Sequence, residues 1–203
     1  MKFNIHHEYV SIGSQTAKCR IILLHGWGAD YDDLLPLGES IVRNSELDWQ
    51  LIFLKAPSLR ANNSGREWYG LFPANWQEAT REVENLKHSL DELGKSVSLK
   101  KTVLLGFSQG AAMSIAVCSK IELGLVVSCS GYAHPDWDPK IKCPILLSHG
   151  VNDDIVPITT SRDMYKKIKI NTESLCQLHE FNGAHEIDPE FIFIIRKKIK
   201  MYI

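Results

Sequence analysis

The segment Thr102-Val103-Leu104-Leu105-Gly106-Phe107-Ser108-Gln109-Gly110-Ala111-Ala112-Met113 constrains this chain more than any other. An apolar stretch of β-strand character ends in Gly-Phe-Ser-Gln-Gly and runs on into small residues that suit a helix. A serine between such a strand and such a helix sits where a G-x-S-x-G nucleophile sits. Gly106 and Gly110 leave room where strand and helix nearly touch, and Ser108 at the apex is expected in a strained backbone conformation, with Oγ clear of both elements. The Gln109 N–H then lies at a helix N-terminus, placed to donate to a negative oxygen developing on an attacked carbonyl. The alternative is an ordinary flexible turn; the correct flanks on both sides favour the nucleophile.

The rest of the chain supplies a scaffold for that turn. Short apolar runs at Arg20–His25, Gln50–Leu54, Thr102–Leu105, Leu125–Ser128 and Pro144–His149 read as strands, with Ser174–Phe181 as a further edge strand. Near-continuous apolarity of this length suits strands covered on both faces, as in a parallel sheet. Between them lie amphipathic stretches. Asn75 to Leu93 carries apolar residues at Val83, Leu86, Leu90 and Leu93, with Gly94 as expected C-cap. Thr159–Ile170 and Pro189–Ile203 are the other long helices, Pro189 suiting a first helical position. The alternation predicts an α/β fold, a mostly parallel central sheet with helices on both faces, and 203 residues fit one domain.

Several function classes are disfavoured. A net charge of −1 offers no general attraction to nucleic acid or anionic lipid. The basic run Arg196-Lys197-Lys198-Ile199-Lys200 reads as the solvated face of a last helix. The first residues lack the apolar segment of a signal peptide, and no apolar run approaches the roughly 20 residues of a membrane span, so no stable membrane anchor is expected. Five scattered cysteines, without C-x-x-C spacing, point to neither a zinc site nor a disulfide framework; a reducing cytoplasm suits them. No cofactor and no metal are expected.

In open α/β sheets, ligands bind beyond the carboxyl ends of the strands. The residues just after each predicted strand are therefore the candidates. His25-Gly26-Trp27-Gly28 follows the first, where the Trp27 N–H is a second candidate oxyanion donor and a plain turn is the alternative. His25 itself reads as a brace for that loop. Asp153 and Asp154 follow the strand ending at His149, either being placed to orient an imidazole. His185 follows the edge strand, in a loop with Gly183. The order Ser108, Asp153 or Asp154, His185 is that of the α/β-hydrolase triad, which predicts acyl transfer through a serine. A catalytically silent hydrolase fold used for binding, or a hydrolase of another acyl linkage, is the competing reading.

With these residues the chain resembles the phospholipase/carboxylesterase family, which includes acyl-protein thioesterases and small bacterial carboxylesterases. The resemblance rests on Leu24-His25-Gly26-Trp27-Gly28, on Gly106-Phe107-Ser108-Gln109-Gly110-Ala111, on His149-Gly150 through Asp153 to Val156-Pro157, and on Gly183 with His185. It implies an α/β-hydrolase that cleaves carboxylic esters or thioesters, with an acylated protein or a lysophospholipid among its possible substrates. It implies Asp153 as the triad acid and Trp27 and Gln109 as oxyanion donors. The chain departs from the family where Trp27-Gly28-Ala29 replaces the frequent Leu-Gly-Asp, and in Trp68-Tyr69-Gly70. Trp68, Tyr69, Leu71 and Phe72 are the expected walls of the acyl pocket, a hydrophobic patch beneath a long loop being the alternative.

Overall fold

A computed structural model of the chain describes residues 6–60, 64–171 and 176–203. Its centre is a seven-stranded sheet: β1 (Tyr9–Gly13), β2 (Cys19–Leu24), β3 (Trp49–Leu54), β6 (Thr102–Phe107), β7 (Leu125–Cys129), β8 (Ile145–Gly150) and β9 (Cys176–Phe181). The spatial order is β1-β3-β2-β6-β7-β8-β9. β1 runs antiparallel to β3, and every other pair is parallel. A two-strand ribbon, β4 (Ser58–Leu59) with β5 (Arg66–Glu67), stands apart from this sheet.

The inner strands are buried along almost their whole length, Phe107 at the end of β6 being partly exposed, because each supplies apolar residues to both faces. Ile22, Leu24, Ile52, Leu54, Leu104, Val126, Ile145 and Leu147 pack on one side, with α2 (Trp76–Gly94), α3 (Gln109–Cys118) and α4 (Thr159–Asn171). Their alternates Ile21, Leu23, Leu51, Phe53, Val103, Leu105, Val127 and Leu146 pack on the other, against α1 (Leu35–Val42) and α5 (Phe191–Tyr202). Period-two alternation with apolar residues at both phases is what a doubly covered sheet requires.

The predicted strands and long helices are present to within a few residues. The Ser174–Leu175 start of the expected edge strand lies outside the described residues, as does most of the N-terminal segment searched for a leader. Strand β1, the small ribbon and α1 were not expected. Two end-caps also differ from expectation. Gly94 is the last helical residue, and Lys95 continues in right-handed helical conformation at φ −68°. The Leu93 carbonyl accepts from the Ser96 and Val97 N–H groups and also from the buried Arg20 guanidinium, whose other donors hold Gln50 and Ser96. Pro189 sits in a leading turn, where Asp188 Oδ1 accepts from Glu190 N–H, and α5 proper begins at Phe191. Parallel pairing from β2 to β9 brings the loops after β2, β6, β8 and β9 to one end of the sheet.

Candidate active site

At the end of β6, Ser108 adopts φ 53° and ψ −116° and α3 begins at the next residue. A non-glycine residue in this region is strained, and such strain gathers at functional turns. The surroundings enforce it. A Cβ on Gly106 would lie 2.2 Å from Gly110 O, and one on Gly110 would lie 2.2 Å from Leu24 O. The Ser108 N–H donates to Cys129 O on β7, which pins the turn to the sheet.

Two further loops converge on this serine. After β8, the Asp153 carboxylate is buried, while neighbouring Asp154 is exposed. Asp153 Oδ1 accepts the Ile155 and Val156 N–H groups at 3.0 and 2.8 Å. After β9, His185 Nδ1 lies 2.7 Å from Asp153 Oδ2 and its Nε2 lies 2.9 Å from Ser108 Oγ. A carboxylate only accepts, so the ring proton sits on Nδ1, and bare Nε2 accepts the Ser108 hydroxyl proton. Backbone bonds stitch the two loops together: Val151 N–H donates to Phe181 O, and Asn152 N–H to Gly183 O. Burial alone would raise the Asp153 carboxyl; the Val156 N–H, His185 and the Ile155 N–H outweigh it and hold the group below the usual carboxylate range.

The loop after β2 packs directly on the serine, since a Cβ on Gly26 would lie 3.4 Å from Ser108 Cβ. Trp27 and Gln109, the expected oxyanion donors, therefore flank Ser108 from two elements. His25 is the expected brace. Its Nδ1–H donates to Gly26 O, and its Nε2 accepts from Ala56 N–H. Burial lowers its basicity and keeps the ring neutral.

Trp68 and Tyr69 require a correction. Both are completely buried, so no water-accessible cavity touches them. They brace the Ser108 turn from below. The Gln109 side-chain oxygen accepts from Trp68 N–H at 3.0 Å and its amide donates to Tyr69 O at 2.8 Å. The Trp68 indole donates to His25 O. The side chain of Gln109 is thus spent on this brace, and its backbone N–H remains the expected oxyanion donor. Leu71 is partly buried against the same core. Of the four expected pocket residues, Phe72 alone is largely exposed, at 79%. Its ring meets the Trp27 ring edge-on at 5.2 Å. Trp27 is clamped further by Glu67, which accepts the indole N–H at 2.7 Å, and by the Arg60 guanidinium, 3.4 Å from the ring centroid.

Sequence reasoning assigned no role at the site to Arg60, Glu67 or His149. The last is fully buried on β8, with Nε2 3.2 Å from Asp153 Oδ2. Its spacing of four from Asp153 was the available signal. Among the described residues, no cluster of three or more His, Cys, Asp or Glu side chains could hold a metal ion, and no helix is long and apolar enough to cross a membrane.

The family model for phospholipases and carboxylesterases matches residues 5–203. The chain belongs to that family. Among its relatives, the acyl-protein thioesterase 1 of Aspergillus fumigatus is 32% identical over 204 residues, covering 83% of this chain and 81% of its own. That of Kluyveromyces lactis is 28% identical over 180 residues, covering 77% and 79%. Among solved structures, esterase PE8 superposes with a TM-score of 0.85 at 26% identity, over 98% of this chain and all of its own. A Bacillus cereus carboxylesterase, at 18% identity, shares the fold with a TM-score of 0.82 over 98% and 96%. This member of the phospholipase/carboxylesterase family is an α/β-hydrolase that cleaves esters or thioesters.

Proposed function

We propose that hydrolysis proceeds through an acyl-enzyme on Ser108. The carrying observation is the unbroken series Ser108 Oγ, His185 Nε2, His185 Nδ1, Asp153 Oδ2, at 2.9 and 2.7 Å. As Ser108 Oγ attacks the acyl carbon, its proton passes to His185 Nε2. Asp153 keeps the ring in the productive tautomer and stabilises the imidazolium. The Trp27 and Gln109 N–H groups receive the oxyanion of the tetrahedral intermediate. His185 then protonates the departing alcohol or thiol, and later activates the water that releases the acid, restoring Ser108.

The substrates proposed are small acyl esters or thioesters, the acylated proteins and lysophospholipids of the family being larger forms of the same bond. The edge formed by half-buried Trp27 and exposed Phe72 is where the acyl chain would rest. A reducing cytoplasm suits the five buried, unpaired cysteines. The test is the Ser108→Ala variant. A folded protein should lose on the order of 10⁴-fold or more in kcat on p-nitrophenyl esters and should no longer take a fluorophosphonate label. Retention of a tenth of wild-type kcat would remove Ser108 from the mechanism.

A further inference from the structure

Asp153 is touched from two sides, and only one belongs to the triad. His185 approaches its Oδ2 from the solvent side; the His149 ring approaches the same oxygen from the interior, with Nε2 at 3.2 Å. The tautomer of His149 follows from its partners. Nε2 also lies 2.7 Å from Val156 O, and both of its neighbours are pure acceptors, so Nε2 carries the proton; it donates to Val156 O, with Asp153 Oδ2 beside the same N–H at 3.2 Å. Nδ1 then accepts, and Ser161 Oγ, on the first turn of α4, is 2.7 Å away to donate. Ser161 and His149 are both buried.

We propose that His149 is a positioning residue for the triad, its Nε2–H drawing charge from the inner side of the Asp153 carboxylate and so setting how strongly that carboxylate holds a proton on His185. The proposal rests on the serine mechanism above. Two backbone N–H groups already orient Asp153 through Oδ1, so His149 is not needed merely to aim the carboxylate. Its contact falls on Oδ2, the oxygen that His185 uses. The positive end of an N–H dipole there stabilises the carboxylate whether or not His185 is charged, and so weakens the bias toward the imidazolium. Without it the negative charge concentrates on the His185 contact, the base stays protonated to higher pH, and the acid limb of kcat/KM moves up.

The charged and titratable groups around His149 are consistent with a neutral ring. Asp153 faces it from its own loop, His185 from the loop after β9, and Glu180 from the adjacent strand, where it pairs with His149 in register. Glu180 is itself held by Arg162 of α4 in two bonds. Burial outweighs these carboxylates and lowers His149 below the ordinary histidine value.

The experiment compares His149→Leu, His149→Gln and Ser161→Ala with the wild type, alongside Ser108→Ala. The Gln amide N–H reaches about as far as the ring Nε2–H. Each protein is titrated for kcat/KM on one p-nitrophenyl ester, with the folded fraction followed by tryptophan fluorescence. The Leu variant should move its acid limb upward by about half a pH unit, a fraction of the roughly one to three units that a full neighbouring charge produces. The Gln variant should restore the wild-type limb, and Ser161→Ala should fall between. The low-field proton of the His185–Asp153 hydrogen bond, read by NMR in the Ser108→Ala background, should move with His149→Leu and not with His149→Gln. If the Leu variant fails to fold, the Gln and Ala variants and the NMR comparison with wild type still decide. A limb unmoved in Leu and Ala, or moved equally by Gln and Leu, overturns the role of His149 while an inert Ser108→Ala leaves the triad standing. An active Ser108→Ala overturns both.

Discussion

Gly110→Ala is the smallest change that should disable the site without touching a reacting atom. Gly110 is the second residue of α3, one step past Gln109. The added Cβ would lie 2.2 Å from Leu24 O and 2.6 Å from His25 O. Both obstacles are backbone carbonyls, on the end of β2 and at the start of the Gly26-Trp27 loop, and neither can rotate away as a side chain would. Restoring ordinary contact requires α3 and β2 to separate by roughly 1 Å. Overpacking of this kind costs about 1–3 kcal/mol, and two unyielding contacts place it at the upper end. For a chain of this length, about 3 kcal/mol lowers Tm by roughly 6–12 °C. The separation also opens the space between the Gln109 and Trp27 N–H groups, and a misplacement of about 1 Å can cost on the order of 10²-fold in rate. Thermal melts by circular dichroism and kcat/KM on p-nitrophenyl butyrate, measured well below both melting temperatures, read the two effects separately. Gly70→Ala is the control, because its Cβ would meet nothing nearer than Glu78 Oε2 at 3.6 Å. It should keep its activity and melt within about 2 °C of wild type. A Gly110→Ala protein indistinguishable from that control would refute the reasoning.

The two adjacent acids should separate sharply. Asp153→Asn should lose about 10⁴-fold in kcat, the serine-protease precedent for the wrong tautomer, while exposed Asp154→Asn stays within about tenfold; the reverse ranking would show the acid misassigned. Stability should fall in mild acid. Burial holds His7 and His134 neutral in the fold, each lowered to about 4, whereas in the unfolded chain each gains a proton below about 6.5. The unfolded state therefore binds more protons between these values, so stability complete above pH 6.5 drains away toward pH 4, by roughly 3 kcal/mol per ring. The Asp153 carboxyl adds a loss at lower pH still, as it protonates below the usual carboxylate range. Urea melts giving equal stability at pH 7.5 and 4.5 would contradict this. Phe72→Ala should raise KM roughly tenfold for long-chain p-nitrophenyl esters and leave short-chain esters and Tm unchanged, since the ring is exposed and supports no core. A uniform loss across chain lengths would take Phe72 out of acyl binding.

The parts of this fold that could be read from the sequence are those where one residue type answers one local demand. Gly106 and Gly110 are there because a Cβ at either would strike backbone, and the spacing between them announces a strand and a helix in contact. The core strands are legible because both alternating phases are apolar. Strand β1 was not legible for the opposite reason: it is half-exposed, with a mixed Tyr-Val-Ser-Ile-Gly sequence, and its pairing with β3 depends on a partner some forty residues away. Gly94 misled because a glycine at a helix end ordinarily marks a left-handed cap, whereas here the chain stays right-handed at Lys95 and the glycine makes room for Leu99, whose Cγ would lie 3.0 Å from an added Cβ.

The same distinction divides the site. Ser108, Asp153 and His185 each follow a strand, and their order along the chain carries information that no single residue does. The aromatic segment carries no such order. Trp68 and Tyr69 have the composition of a pocket wall, but composition cannot say which side of a loop faces solvent. What turns them inward is Gln109, whose side chain bonds the backbone of both, and His25, whose carbonyl takes the Trp68 indole. These are contacts between the Ser108 turn, the Gly26-Trp27 loop and a third segment, made only once the sheet has assembled. The residues that hold the turn rigid are therefore the ones hardest to see beforehand, because their partners are fixed by topology and not by spacing. His149 belongs to this group: four residues before Asp153 in the chain, it is placed beside the carboxylate by the turn after β8 and locked there by Ser161 from α4.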